Sequence, residues 1–152
     1  MTGQAKKLAR LAAVQVLYQD SYEQEDLALI LKRYTQEPSL LLNGDEADEP
    51  PIMQKPDTLL LSQIAYGVVK DHAALSEMVM GAVDQKISAA RLENLLRSIL
   101  LAGAFELYNH TETDAALIIS DYVDVARAFF NGKEPGLVNA VLDKLAKKLR
   151  PD

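Results

Sequence analysis

The chain has 152 residues, 49% of them hydrophobic and 25% charged. That balance suits one folded domain and rules out a disordered chain. It has no cysteine and only two histidines, His72 and His110, which excludes disulfides and thiolate chemistry and leaves a zinc site short of ligands. A formal charge of −6 argues against a general polyanion binder, but the charge is unevenly spread. Residues 20–57 hold ten acidic groups against three basic ones, whereas Lys6, Lys7 and Arg10 make one end basic and Lys144, Lys147, Lys148 and Arg150 the other. Charged or polar residues interrupt every apolar run well short of the roughly 20 residues that cross a bilayer. The first ten residues lack the apolar core of a signal peptide, so a cytoplasmic location is expected.

Ala5 to Tyr18 reads as a helix that is apolar on most of its circumference, because Leu8, Leu11, Ala12, Val14, Val16 and Leu17 cannot share one narrow stripe. Such a helix is expected to lie centrally, with neighbours on several sides. Lys6, Lys7 and Arg10 give its first turns a basic face, either a solvated helix end or a phosphate contact. A second helix is predicted over Glu23–Thr35, followed by an acidic loop at about 36–57 that carries Pro38, Pro50, Pro51 and Pro56. Thr58 to Val83 reads as one long helix, capped by Thr58 and with one slack interval around Asp71. A linker over 84–90 leads to a helix from Arg91 to Tyr108. In that helix Ala102-Gly103-Ala104 lets a neighbour approach closely, and Glu106 is either paired or exposed beside the core stripe. Asp114 is the expected N-cap of a helix that runs to Phe130 and ends at Asn131-Gly132. Pro135 starts the last helix, whose buried row is Val138, Leu142, Leu145 and Leu149, with Asn139, Asp143, Lys147 and Arg150 opposite. About six helices and no sustained strand alternation make the fold class all-α.

Catalytic signals are absent from this pattern. There is no glycine-rich phosphate loop, and no histidine–carboxylate pair stands at metal-ligand spacing. Neither histidine has a nucleophile near it in sequence. The expectation is a protein that is not an enzyme, with no catalytic residues, no metal and no cofactor.

Three segments carry a family resemblance. Ala9-Arg10-Leu11-Ala12-Ala13-Val14-Gln15-Val16-Leu17-Tyr18 is one; Ile99-Leu100-Leu101-Ala102-Gly103-Ala104-Phe105-Glu106-Leu107 is the second. The third is Ile119-Ser120-Asp121-Tyr122-Val123-Asp124-Val125-Ala126-Arg127-Ala128-Phe129, continued by Gly136-Leu137-Val138-Asn139-Ala140-Val141-Leu142-Asp143. In order and spacing the set resembles the NusB family of bacterial antitermination factors. The resemblance implies a single all-α domain over 1–152, built as two helical bundles that share the N-terminal helix. It also implies an adaptor that, with a ribosomal small-subunit protein also called NusE, holds the boxA element of single-stranded RNA within an RNA polymerase antitermination complex on ribosomal RNA operons. Carried onto this chain, RNA contact falls on Lys6, Lys7, Arg10, Lys133, Leu137 and Asn139, and the protein partner on a surface around Tyr18, Leu96 and Arg97.

Asn139 offers a donor and an acceptor for base edges beside basic groups. An acidic chain with few cationic contacts should bind RNA weakly alone and more tightly beside a basic partner. The chain departs from the family pattern at Leu8, Leu96, Leu101, Ser120, Asp121, Leu137 and Ala140. Those departures motivate an alternative: a diverged protein–protein interaction module with weakened RNA binding, a second copy of the chain being one further partner.

Overall fold

The computed structural model describes residues 3–23, 26–37, 55–83 and 93–151. Among them are seven helices and no strand: α1 (Gly3–Glu23), α2 (Leu27–Gln36), α3 (Thr58–Lys70), α4 (His72–Ala82), α5 (Asn94–Asn109), α6 (Ala115–Phe129) and α7 (Glu134–Leu149). The expected loop over 36–57 and the expected linker over 84–90 lie largely outside the described residues.

The all-round apolar character of α1 has the anticipated consequence. Ala9, Ala12, Ala13, Val14 and Val16 have no exposed surface, because α2, α3, α5 and α6 all pack against this one helix. The same is true of α5, which touches α1, α3, α4, α6 and α7 and buries every residue from Ser98 to Leu107. Two helices, rather than α1 alone, therefore form the centre. Close approach to α5 depends on small residues. A Cβ on Gly103 would stand 2.7 Å from Cδ1 of Leu142 on α7, and one on Gly67 of α3 would collide with the Phe105 ring.

Local chemistry sets the helix ends, and several differ from the sequence expectation. Helix α1 runs on to Glu23, and α2 begins only after Asp26, whose carboxylate accepts from the Ala28 amide at 3.0 Å. The cap of α3 is Asp57, not Thr58. Its Oδ1 accepts from the Leu60 amide at 3.1 Å, and its own amide donates to the Ala5 carbonyl at 2.9 Å, tying the start of α3 to α1. The predicted long helix breaks at Asp71, the slack interval, into α3 and α4. Helix α5 starts after the extended Glu93; Arg91 and Leu92 lie outside the described residues. Asp114 caps α6 as expected. Pro135 occupies the second position of α7, where its missing amide costs nothing.

Arg150 does not line the outer side of α7. Its guanidinium turns back and donates to the carbonyls of Leu107 at 2.9 Å, His110 at 2.7 Å and Thr113 at 2.5 Å. The last carbonyls of a helix have no partner within it, and here the end of α7 supplies the donors for α5 and the turn that follows.

Candidate nucleic-acid interface

The interface is built on a buried charge cluster. Arg10 projects from α1 between α5 and α6 and grips Glu106 with two bonds, Nε to Oε2 at 2.7 Å and Nη2 to Oε1 at 2.9 Å. Its Nη1 reaches Oδ2 of Asp121 at 2.8 Å. Glu106 has no exposed side-chain surface, and it also accepts from the Tyr122 hydroxyl at 2.6 Å and lies 3.0 Å from Nδ1 of His110. Burial alone would raise the Glu106 carboxyl. Hydrogen bonds from His110 and Arg10, the Arg10 charge and the Tyr122 hydroxyl overcome that effect and hold it at about 2. Burial likewise opposes the Arg10 charge, but the bonds and charge of Glu106 outweigh it and push its pKa up. Tyr122, wholly buried beside that carboxylate, is raised well above its ordinary value, first by burial and then by the Glu106 charge.

This cluster revises the reading of Arg10. Only 3% of its side chain is exposed and its donors are committed to two carboxylates, so it fixes α1 on α5 and α6 instead of meeting a strand. The neighbouring lysines diverge, since successive helix positions point about 100° apart. Lys6 is exposed and opens onto a crevice of about 140 Å³ shared with Asp57, Gln63, His110 and Glu112. Lys7 faces α6, where its Nζ meets Oδ2 of Asp124 at 2.5 Å. The other carboxylate oxygen of Asp124 holds Nη1 of Arg127 at 3.2 Å. Arg127 lies in the last turn of α6, and Lys133, exposed, stands in the short turn before α7. Asn139 is exposed on α7; Leu137 is half-buried and lines a groove with Ala82, Val83, Val141 and Lys144.

Lys7 is thus brought to the outer face of α6 beside Arg127, and α6 leads on to Lys133. Lys6 opens onto a separate crevice. The residues expected to meet the protein partner divide between core and surface. Leu96 is 5% exposed and belongs to the core, because it is the inward residue in the first turn of α5. Tyr18 is exposed near the far end of α1, and Arg97 is half-buried between α4 and α5 beside Ser76, Val79 and Leu101.

Sequence reasoning did not place Asp124 and Arg127 beside Lys7, nor Glu106 at the hub of the buried cluster. The signal for Glu106 was available. A carboxylate inside an otherwise apolar row and an arginine inside an otherwise apolar helix each require a buried counter-charge, and each is the other's.

The model of the NusB family matches residues 7–147. The chain is 38% identical to a transcription antitermination protein NusB of Rhizobium etli over 151 residues, covering 99% of this chain and 91% of the relative. It is 39% identical to that of Bartonella henselae over 142 residues, covering 93% and 87%. Among solved structures, a Thermotoga maritima NusB superposes with a TM-score of 0.75 at 19% identity, covering 94% and 91% of the two chains. A structure of antitermination factors NusB and NusE in complex with double-stranded RNA superposes at 0.77 and 20% identity, covering 97% and 99%. The similarity runs through the helices that carry Lys7, Arg10, Glu106 and Asp121, and with it the chain belongs to the NusB family.

Proposed function

We propose that this chain is a non-enzymatic, cytoplasmic RNA-binding adaptor of transcription antitermination, which binds boxA-type RNA together with the ribosomal small-subunit protein NusE. The single observation that carries the reading is the presentation of Lys7 next to Arg127 on the outer face of α6. The buried Arg10–Glu106–Asp121 cluster holds that pair of helices in place. Membership of the family and the names of the relatives, which are antitermination proteins, support the same reading. So does the solved likeness, which contains NusE and RNA.

RNA would lie along the start of α1, the last turns of α6 and the turn into α7. There Lys7, Arg127 and Lys133 meet phosphates and Asn139 reads a base edge; Leu137 lies about 200° round α7 from Asn139, in the groove with Ala82 and Val83, and would meet RNA only there. Lys6 would add attraction from the neighbouring crevice. Tyr18 and the half-buried Arg97 stay candidates for the protein partner, and Leu96, in the core, would act only through packing. With about three phosphate contacts, log K should fall against log salt with a slope of roughly −2 for a single strand.

Titration of boxA RNA and a scrambled control, each with and without NusE at two salt concentrations, tests the proposal. The expected result is preference for boxA, strengthened by NusE, and a roughly tenfold loss for Lys7→Glu combined with Lys133→Glu, about 1.4 kcal/mol. Equal binding of both RNAs in every condition would refute it and favour a protein–protein module.

A further inference from the structure

We infer that Asp124 is a selectivity gate in the RNA site, a carboxylate that occupies two phosphate-binding cations and must be displaced before a strand can use them. The inference rests on the RNA-binding reading above and adds a role for a residue that opposes binding. Each oxygen of Asp124 engages a different cation, Oδ2 the Lys7 ammonium at 2.5 Å and Oδ1 the Arg127 guanidinium at 3.2 Å. The two cations come from helices that are distant in sequence.

All three side chains reach solvent, with 43% of Lys7, 33% of Asp124 and 68% of Arg127 exposed. Exposed pairs of this kind are weak and exchange readily, so an incoming phosphate can take the place of the carboxylate. Nor is the bridge needed to hold α1 on α6. Asp121, about one turn earlier on α6, already does so through its buried contact with Arg10 at 2.8 Å.

With Asp124 in place the trio carries a net charge of +1; without it the charge would be +2. A polyanion that offers only phosphates loses half of its local attraction. Helices α6 and α7 pack on each other, so a strand also held through base edges at Asn139 of α7 would bring its phosphates to the α6 cations at high effective concentration. Asp124 therefore lowers non-cognate binding more than cognate binding.

The test is Asp124→Asn, which keeps shape and removes charge, measured by anisotropy titration of short boxA and scrambled RNAs over a salt series. Glu77→Gln, which removes an exposed carboxylate on α4, a helix that packs on α3, α5 and α7, serves as the control for net charge. At low salt the Asp124 variant should bind scrambled RNA about fivefold more tightly, the change expected from one unit charge at close range in water. Its log–log salt slope should steepen by about 0.7. The boxA affinity should rise less, so that selectivity falls, and the thermal midpoint should stay within about 4 °C of the parent. Unchanged or weaker binding by Asp124→Asn, while Lys7→Glu still weakens the parent, would overturn the gate and leave the RNA-binding reading standing. An equal gain from Glu77→Gln would overturn it too. Indifference of the parent to Lys7→Glu would instead count against the RNA-binding reading itself.

Discussion

Glu106 carries a full charge in a site with no solvent contact, and its partners determine what that charge does to stability. Its carboxyl sits at about 2 in the folded protein against an ordinary value of 4.5. A depressed folded value means that the group contributes stability above about pH 4.5 and that this contribution disappears as pH falls toward 2. Glu106→Gln should lower stability at pH 7 by about 3–5 kcal/mol, because Arg10 is left buried with too little counter-charge. Denaturant titrations between pH 2 and pH 7 check both consequences: the variant should be weaker at neutral pH and lose less on acidification. Parallel pH curves for parent and variant would show that another carboxylate governs the acid limb. At this scale the sequence displayed the charges but not their pairing. Arg10 was legible as a cation on α1, yet a cation near a chain end reads as solvated until the helices that flank it are known. Asp124 and Arg127 were legible as the outer face of α6, but nothing local revealed that Lys7 would arrive from more than a hundred residues away.

The helices themselves were readable because their apolar spacing and their caps are local. Asp114 as a cap, the end of α6 near Asn131 and the proline in the first turn of α7 all follow from backbone chemistry within four residues. The boundaries that differ depend on distant partners. Asp57 replaces Thr58 as cap because its amide is also tied to Ala5 on α1, a contact that no window of sequence contains. The centrality of α5 was only partly visible, since Gly103 marked one close approach while the Phe105 ring against Gly67 on α3 did not register. Gly67→Ala should therefore destabilise by about 1–3 kcal/mol through overpacking, read as a drop in denaturant midpoint. An effect near zero would mean that the Phe105 ring has room to move aside. Arg150 makes the same point for helix ends. Arg150→Ala removes donors from four carbonyls at the end of α5 and in its following turn, and should cost about 2 kcal/mol. It should also speed amide exchange at His110 and Thr113. Unaltered exchange there would show that the clamp does not hold that turn.

At the scale of the whole molecule, an acidic chain places a small set of cations on a shared scaffold. The all-round apolar α1 announced a helix surrounded by others, and the fold class followed from about six helical patterns with no strand alternation. Where the cations would gather was not legible, because it depends on how α1 crosses α6 and on which of Lys6, Lys7 and Arg10 each neighbour takes up. The structure gives one to the core, one to a mixed crevice and one to α6, which makes the interface narrower than the three side by side suggest. No helix among the described residues is long and apolar enough to cross a membrane. On the proposed reading, RNA lies along the start of α1, the last turns of α6 and the turn into α7. Chemical-shift mapping of the isotope-labelled protein during addition of boxA RNA reports where the strand lies. The largest shifts should fall at Lys7, Arg127, Lys133 and Asn139, with Tyr18 undisturbed. Shifts gathered around Tyr18 and Arg97, with those four residues unmoved, would contradict it.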